Sequence, residues 1–215
     1  MIEYINERRN CHIISVEDPI EYLHRHKKAT INQRELGVDT NSFHEALRHM
    51  VREDPNVIMV GEMRDLETMS AALTLAETGH LILTTLHTSD AIHAIHRIID
   101  VFPPYQQTQI RIQLSLVLVG ISVQQLIPRT NGKGRVVACE VMAALPAVGN
   151  LIRENEMHQL RSVIQTGRPH GMCTMNQSLS DLFAKGLVAW DEISRRTSDL
   201  EELTRLVQAV PAARR

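Results

Sequence analysis

The run Val57-Ile58-Met59-Val60 constrains the fold of this chain more than any other stretch. Four consecutive apolar residues, two of them valine and one isoleucine, suit a strand buried on both faces, as in a parallel sheet with helices packed above and below. Asp54-Pro55 precedes the run and Gly61-Glu62-Met63-Arg64-Asp65 ends it in charge. Gly61 permits close backbone approach, and Glu62 stands at the strand's C-terminal end, where open α/β sheets place their ligands. Glu62 is therefore a candidate catalytic carboxylate. The plainer alternative is that Glu62 and Asp65 only open the next helix, with Asp65 as its N-cap before Leu66.

The same strand-then-acid arrangement occurs earlier. Cys11 to Val16 has the composition of a strand, and Glu17-Asp18-Pro19-Ile20-Glu21 follows it. Pro19 pushes Asp18 out of the helical region, which holds two carboxylates on an extended turn. Acids at the ends of neighbouring strands can bind magnesium, directly or through water, and orient an attacking water; a solvated acidic turn is the competing reading. A third apolar stretch, His80 to Thr88, predicts a buried strand with a histidine near each end. Thr85, His87 and Thr88 would then face the same crevice as Glu17 and Glu62, where an imidazole can sense a γ-phosphate.

Between and after these strands the pattern is helical. Met1 to Arg9 resembles the tail of a helix, and Ala29 to Arg34 predicts a short hairpin arm. Ser42 and Glu45 have capping-box spacing ahead of Phe43, Ala46, Leu47, Met50 and Val51, with Arg48 and Arg52 on the other face. These two arginines are either solvated or, in an oligomer, able to reach phosphate or a neighbour's carboxylates. Leu66, Met69, Leu73 and Ala76 predict a helix that Gly79 terminates. Ser89 to Phe102 predicts another, and Ile110, Leu114, Val117 and Ile121 lie in register on a longer one. Val123 to Pro128 and Arg135 to Val141 form a predicted hairpin about Thr130-Asn131-Gly132-Lys133-Gly134. Helices follow over 147–153, 156–165, 175–185 and 200–207, with a Pro/Ala/Arg tail expected to fray. The predicted division is a sheet domain over 1–143 and a smaller helical region over 144–215.

A length of 215 residues suits one sizeable core or somewhat more, and the formal net charge of -2 gives no global attraction to nucleic acid or anionic lipid. No apolar run reaches membrane-spanning length and no signal-peptide pattern opens the chain, so it is expected to be cytoplasmic. Cys11, Cys139 and Cys173 form no CxxC pair, which implies neither a disulfide framework nor a zinc site.

Val16-Glu17-Asp18-Pro19-Ile20-Glu21-Tyr22 resembles the Asp box of the type IV pilus and type II secretion ATPases, and Gly61-Glu62-Met63-Arg64-Asp65 resembles the end of their Walker B strand. Glu77-Thr78-Gly79-His80 with Thr85-Leu86-His87-Thr88 resembles their His box. The likeness continues through Val101-Phe102-Pro103 to Ala147–Glu154, which is similar to the C-terminal retraction motif except that Gly149 stands where that motif has arginine. The absence of a tetracysteine element makes the retraction branch of the family the better match.

The resemblance implies a RecA-like P-loop NTPase core, here incomplete, with a largely parallel sheet flanked by helices and a small helical C-terminal region. It implies ATP and Mg2+ as cofactors, a hexameric assembly, and partners in the inner-membrane pilus platform, at the inner face of the cytoplasmic membrane. Glu62 is expected to polarise the attacking water and Glu17 to help position magnesium or water. His87 and His80 are expected to contact or sense the γ-phosphate, Thr85 to lie beside it, and Arg64 to order the Glu62 loop.

The phosphate-binding G-x-x-x-x-G-K-[ST] occurs nowhere in the sequence. The chain is therefore expected to be the C-terminal part of a retraction motor, with negligible ATPase activity by itself. The alternatives are a non-catalytic subunit that binds full-length motor partners, and a related secretion or conjugation ATPase with a different cargo.

Overall fold

The computed structural model of the chain describes residues 1–209; the expected fraying of the Pro/Ala/Arg tail concerns residues outside them. Two compact units form, one of residues 1–87 and 98–117, the other of 88–97 with 118 onward.

The first unit is built on β1 (His12–Glu17), β2 (Thr30–Glu35), β3 (Val57–Val60) and β4 (Leu81–Thr84), an all-parallel sheet in the order β2-β1-β3-β4. Side chains alternate across it. Ile13, Ile31, Val57, Met59, Leu81 and Leu83 share one face, where Ile2 and Ile5 of α1 (Ile2–Arg8) pack. Ile14, Val16, Ile58 and Val60 are wholly buried on the opposite face, the side of α2 (Phe43–Met50) and α3 (Leu66–Glu77). Both faces are covered, as an all-parallel sheet requires, and the expected α/β class holds.

The predicted caps are present: Ser42 accepts from the Glu45 N–H at 3.0 Å, and Asp65 from the Thr68 N–H at 2.8 Å. Gly79 closes α3 with φ of +98°, in the left-handed region glycine tolerates.

One element differs in direction. Ala29 to Arg34 forms no hairpin arm; β2 runs parallel to β1, with Thr30 opposite His12. Alternation specifies a strand but not its direction, and residues 18–29 carry the chain back to the start of β1. Asn6 secures that return. Fully buried, it donates to the Arg25 carbonyl at 2.8 Å and accepts the Lys27 N–H at 3.0 Å. Lys27 bonds Glu7 at 2.8 Å and also pairs with Glu3, whose carboxyl it holds down to about 2. Asn6→Ala removes two hydrogen bonds from a buried side chain to the Arg25 carbonyl and the Lys27 N–H, so we expect a loss of about 1 kcal/mol, read from the urea midpoint.

The chain continues through α4 (Ala91–Asp100) and α5 (Pro104–Val117). The second unit then contains the antiparallel hairpin of β5 (Gly120–Pro128) and β6 (Arg135–Ala143), with α6 (Pro146–Arg153), α7 (Leu160–Thr166), α8 (Met175–Ala184), α9 (Trp190–Ser194) and α10 (Leu200–Ala209). Ile121, expected on the preceding helix, belongs to β5. Gly120 lets the start of β5 lie close to β6: a Cβ on it would lie 2.9 Å from the Met142 carbonyl.

The hairpin also falls on the other side of the predicted boundary at 143. Val123, Ile127 and Ala138 form one core with Leu179, Leu182, Ile193 and Leu203 of the helices, so the strands group with the helical region and not with the parallel sheet. Glu140 is buried in this unit and accepts from the first N–H groups of two helices, Ala91 at 2.8 Å and Met175 at 3.3 Å.

Candidate active site

The C-terminal ends of β1, β3 and β4 form one rim, because the three strands are parallel neighbours in register. Gly61 draws the chains together there. Its N–H donates to the Val16 carbonyl at 2.8 Å, and a Cβ would sit 3.2 Å from the Glu17 Cα, which real side chains rarely tolerate.

Glu17, the last residue of β1, is 8% exposed. Its Oε1 accepts from the Ser15 hydroxyl at 2.6 Å and the Gln33 amide at 3.0 Å. Glu62 lies two residues past β3 with its side chain 17% exposed. Its Oε2 is 2.6 Å from Arg64 Nη2 and its Oε1 3.2 Å from His87 Nε2. The Arg64 guanidinium holds the Glu62 carboxyl below the ordinary carboxylate range, against the opposing push of burial, with His87 assisting. Glu62 is thus ionised at neutral pH, and Arg64 and His87 stay largely exposed around it.

Thr85 joins through its hydroxyl, which donates to the Gly61 carbonyl at 2.5 Å. That bond is made where β4 has already stopped, at Thr84, four residues earlier than the stretch to Thr88 suggested.

The rim therefore brings Glu17, Glu62, Arg64, Thr85 and His87 together. His80 is not among them. It leads the chain into β4 at the opposite, N-terminal end of the strands, where its Nδ1 lies 3.0 Å from the Leu75 carbonyl and the same from the Thr78 hydroxyl, at the end of α3. Arg48 lies exposed on α2 and Arg52 exposed on the turn after it. Asp65 is the N-cap of α3, so the plainer reading of that residue holds, while Glu62 is not part of the helix.

Two residues of the site lie outside the motifs, Ser15 and Gln33. Their signal was the strand alternation, which sets Ser15 and Glu17 on one face of β1.

Among the described residues no three His, Cys, Asp or Glu side chains converge as a metal cage. Both Glu62 oxygens are engaged and Glu17 Oε1 carries two donors, so of these two carboxylates only Glu17 Oε2 has no hydrogen-bond partner among the described residues. Such a donor set suits magnesium, which keeps several waters and takes one or two carboxylates plus substrate phosphates.

The family described as Type II/IV secretion system protein matches residues 1–195. The chain belongs to that family. A twitching motility protein of Neisseria gonorrhoeae is 50% identical over 204 residues, 95% of this chain and 54% of that protein. The Pseudomonas aeruginosa type IV pilus retractation ATPase PilT is 50% identical over 189 residues, 88% of this chain and 55% of that one. A crystal structure of the pilus retraction motor PilT with bound ADP superposes with a TM-score of 0.88 at 52% identity, covering 95% of this chain and 58% of its own. This member of the secretion family thus spans about half the length of the curated relatives it matches. Among the described residues, no helix is long and apolar enough to cross a membrane.

Proposed function

We propose that this chain supplies the hydrolytic rim and the C-terminal helical unit of an ATP-driven motor that retracts type IV pili. The observation that carries the reading is the Glu62 carboxylate in contact with His87 at 3.2 Å, on a rim shared with Glu17. Glu62, charged and half-enclosed, accepts a hydrogen bond from the attacking water and polarises it. Arg64 keeps it ionised and fixes its orientation. Glu17 would offer its second oxygen to magnesium or to one of its waters. His87, exposed beside Glu62, donates to the terminal phosphate, and Thr85 holds the Gly61 turn on which Glu62 is mounted. Bound magnesium and ATP would supply the electrophilic phosphorus and neutralise the charge of its oxygens.

Arg48 and Arg52, exposed on α2 and the turn after it, are suited to a neighbouring subunit's phosphates or carboxylates in a hexameric ring. The ring would work at the cytoplasmic face of the inner membrane against the pilus platform. His80, bonded to the end of α3, fits a part in fixing where β4 begins.

Deleting the gene should leave piliated cells that do not twitch. The wild-type gene should restore movement, and the His87→Ala variant should not. A deletion strain with normal twitching and an unchanged number of surface pili overturns the reading.

A further inference from the structure

We infer that Gln33 is a positioning residue that locks the Glu17 carboxylate and the loop 18–24 to each other. The inference rests on the reading of Glu17 given above, and its first test does not need ATP.

Gln33 lies on β2 directly opposite Ser15 of β1, on the sheet face that Glu17 shares. Its single side chain makes three bonds. The amide nitrogen donates to Glu17 Oε1 at 3.0 Å and to the Tyr22 carbonyl at 2.9 Å, and the amide oxygen accepts the His24 N–H at 2.8 Å. One residue therefore touches the candidate catalytic group and both ends of the turn Tyr22-Leu23-His24.

The need for such a lock follows from what else holds these groups. The terminal torsion of a glutamate is broad and nearly two-fold, so the two oxygens of a free carboxylate exchange readily. Ser15 and Gln33 both donate to the same oxygen, which fixes the torsion and keeps Oε2 as the unpaired one. The loop, for its part, gains little from burial. Tyr22 is 66% exposed and Leu23 77% exposed, so apolar packing does not set its position. Apart from Gln33 it is held by the Ile20 N–H, which donates to Glu35 Oε2 at 3.0 Å on the same strand, and by the His24 ring, whose Nδ1 lies 3.3 Å from Glu3 Oε2 of α1. Polar side chains of β2 and α1 thus replace the missing core beneath the loop, and of these Gln33 is the one that also reaches Glu17.

Two variants separate the bonds. Gln33→Met keeps the length of the side chain and removes all three; Ser15→Ala removes the other donor to Glu17 and leaves the loop bonds intact. In hydrogen–deuterium exchange on this chain, Gln33→Met should raise exchange over Tyr22–His24 about tenfold with β1 and β3 unchanged, and Ser15→Ala should not. In the assembled motor, Gln33→Met should lower kcat about tenfold with KM within about twofold, the pattern of a misplaced reacting group and not of lost binding.

Unchanged exchange in Gln33→Met overturns the lock, and so does unchanged kcat in a motor that Glu17→Gln inactivates. A motor that Glu17→Gln leaves fully active removes the role of Glu17 instead, while the exchange result still decides whether Gln33 holds the loop. Should Gln33→Met not fold, Gln33→Asn, one methylene too short for Glu17, carries the same readouts.

Discussion

Glu62→Gln in the complete motor is expected to cut ATP turnover by about 100-fold or more, the scale of a lost general base, with nucleotide affinity nearly unchanged. The amide keeps the size of the side chain, and its oxygen can still accept from Arg64. It carries no charge, so it cannot draw a proton from water. Glu62 is suited to that task because Arg64 at 2.6 Å holds it ionised, and because its position two residues past β3 is fixed from the β4 side. The Thr85 hydroxyl grips the Gly61 carbonyl, which fixes the turn from which Glu62 projects. Binding energy for nucleotide comes mainly from contacts to phosphate and base, none of which Glu62 makes as an anion, so affinity should be spared. Phosphate release and equilibrium nucleotide binding, measured on the same preparation, check both halves. Undiminished turnover would sink the assignment of Glu62, and lost binding with lost turnover would mark it as a structural residue.

How far the sequence disclosed this site depended on the kind of signal. The run at Val57 to Val60 and the acid behind it were legible because a doubly buried strand leaves an unbroken apolar stretch, and the strand's end predicts where ligands gather. His87 followed from the same logic on β4. The caps at Ser42 and Asp65 were legible too, since an N-cap depends on residues only three apart.

What remained hidden depended on pairing across the chain. The direction of β2 is set by Asn6 gripping Arg25 and Lys27, a contact between residues some twenty apart in sequence that no periodicity records. Gln33 has no motif value by itself; its meaning appears only once β2 lies parallel to β1. His80 is a case where motif and geometry pull apart: the motif groups it with His87, less firmly because its end of the strand lies farther from the expected ligand, and strand polarity separates the two by the length of β4. The hairpin's affiliation was hidden for the same reason, because its inner residues reveal burial but not which helices do the burying.

The 215 residues on their own are expected to hydrolyse ATP no faster than background and to bind it with Kd weaker than about 1 mM. A triphosphate needs convergent donors, typically a turn of backbone N–H groups, a lysine and a hydroxyl opening a helix. The rim described here offers mostly the reverse. Glu17 and Glu62 are acceptors, the Thr85 hydroxyl is spent on Gly61, and Arg64 is engaged by Glu62. His87 and the outward N–H groups of Arg64 are the side-chain donors left to a phosphate here, and both side chains are in contact with Glu62. Two carboxylates so close to a polyphosphate repel it unless other groups hold it, and the sequence has no G-x-x-x-x-G-K-[ST] to do so. The outer edge of β4 pairs with no strand among the described residues, and Leu81, Ile82 and Leu83 are only half-buried. Calorimetric titration with ATP and magnesium, together with phosphate release, tests the expectation. Turnover clearly above background by the purified chain would show that the rim binds phosphate by a route other than the one its charges allow.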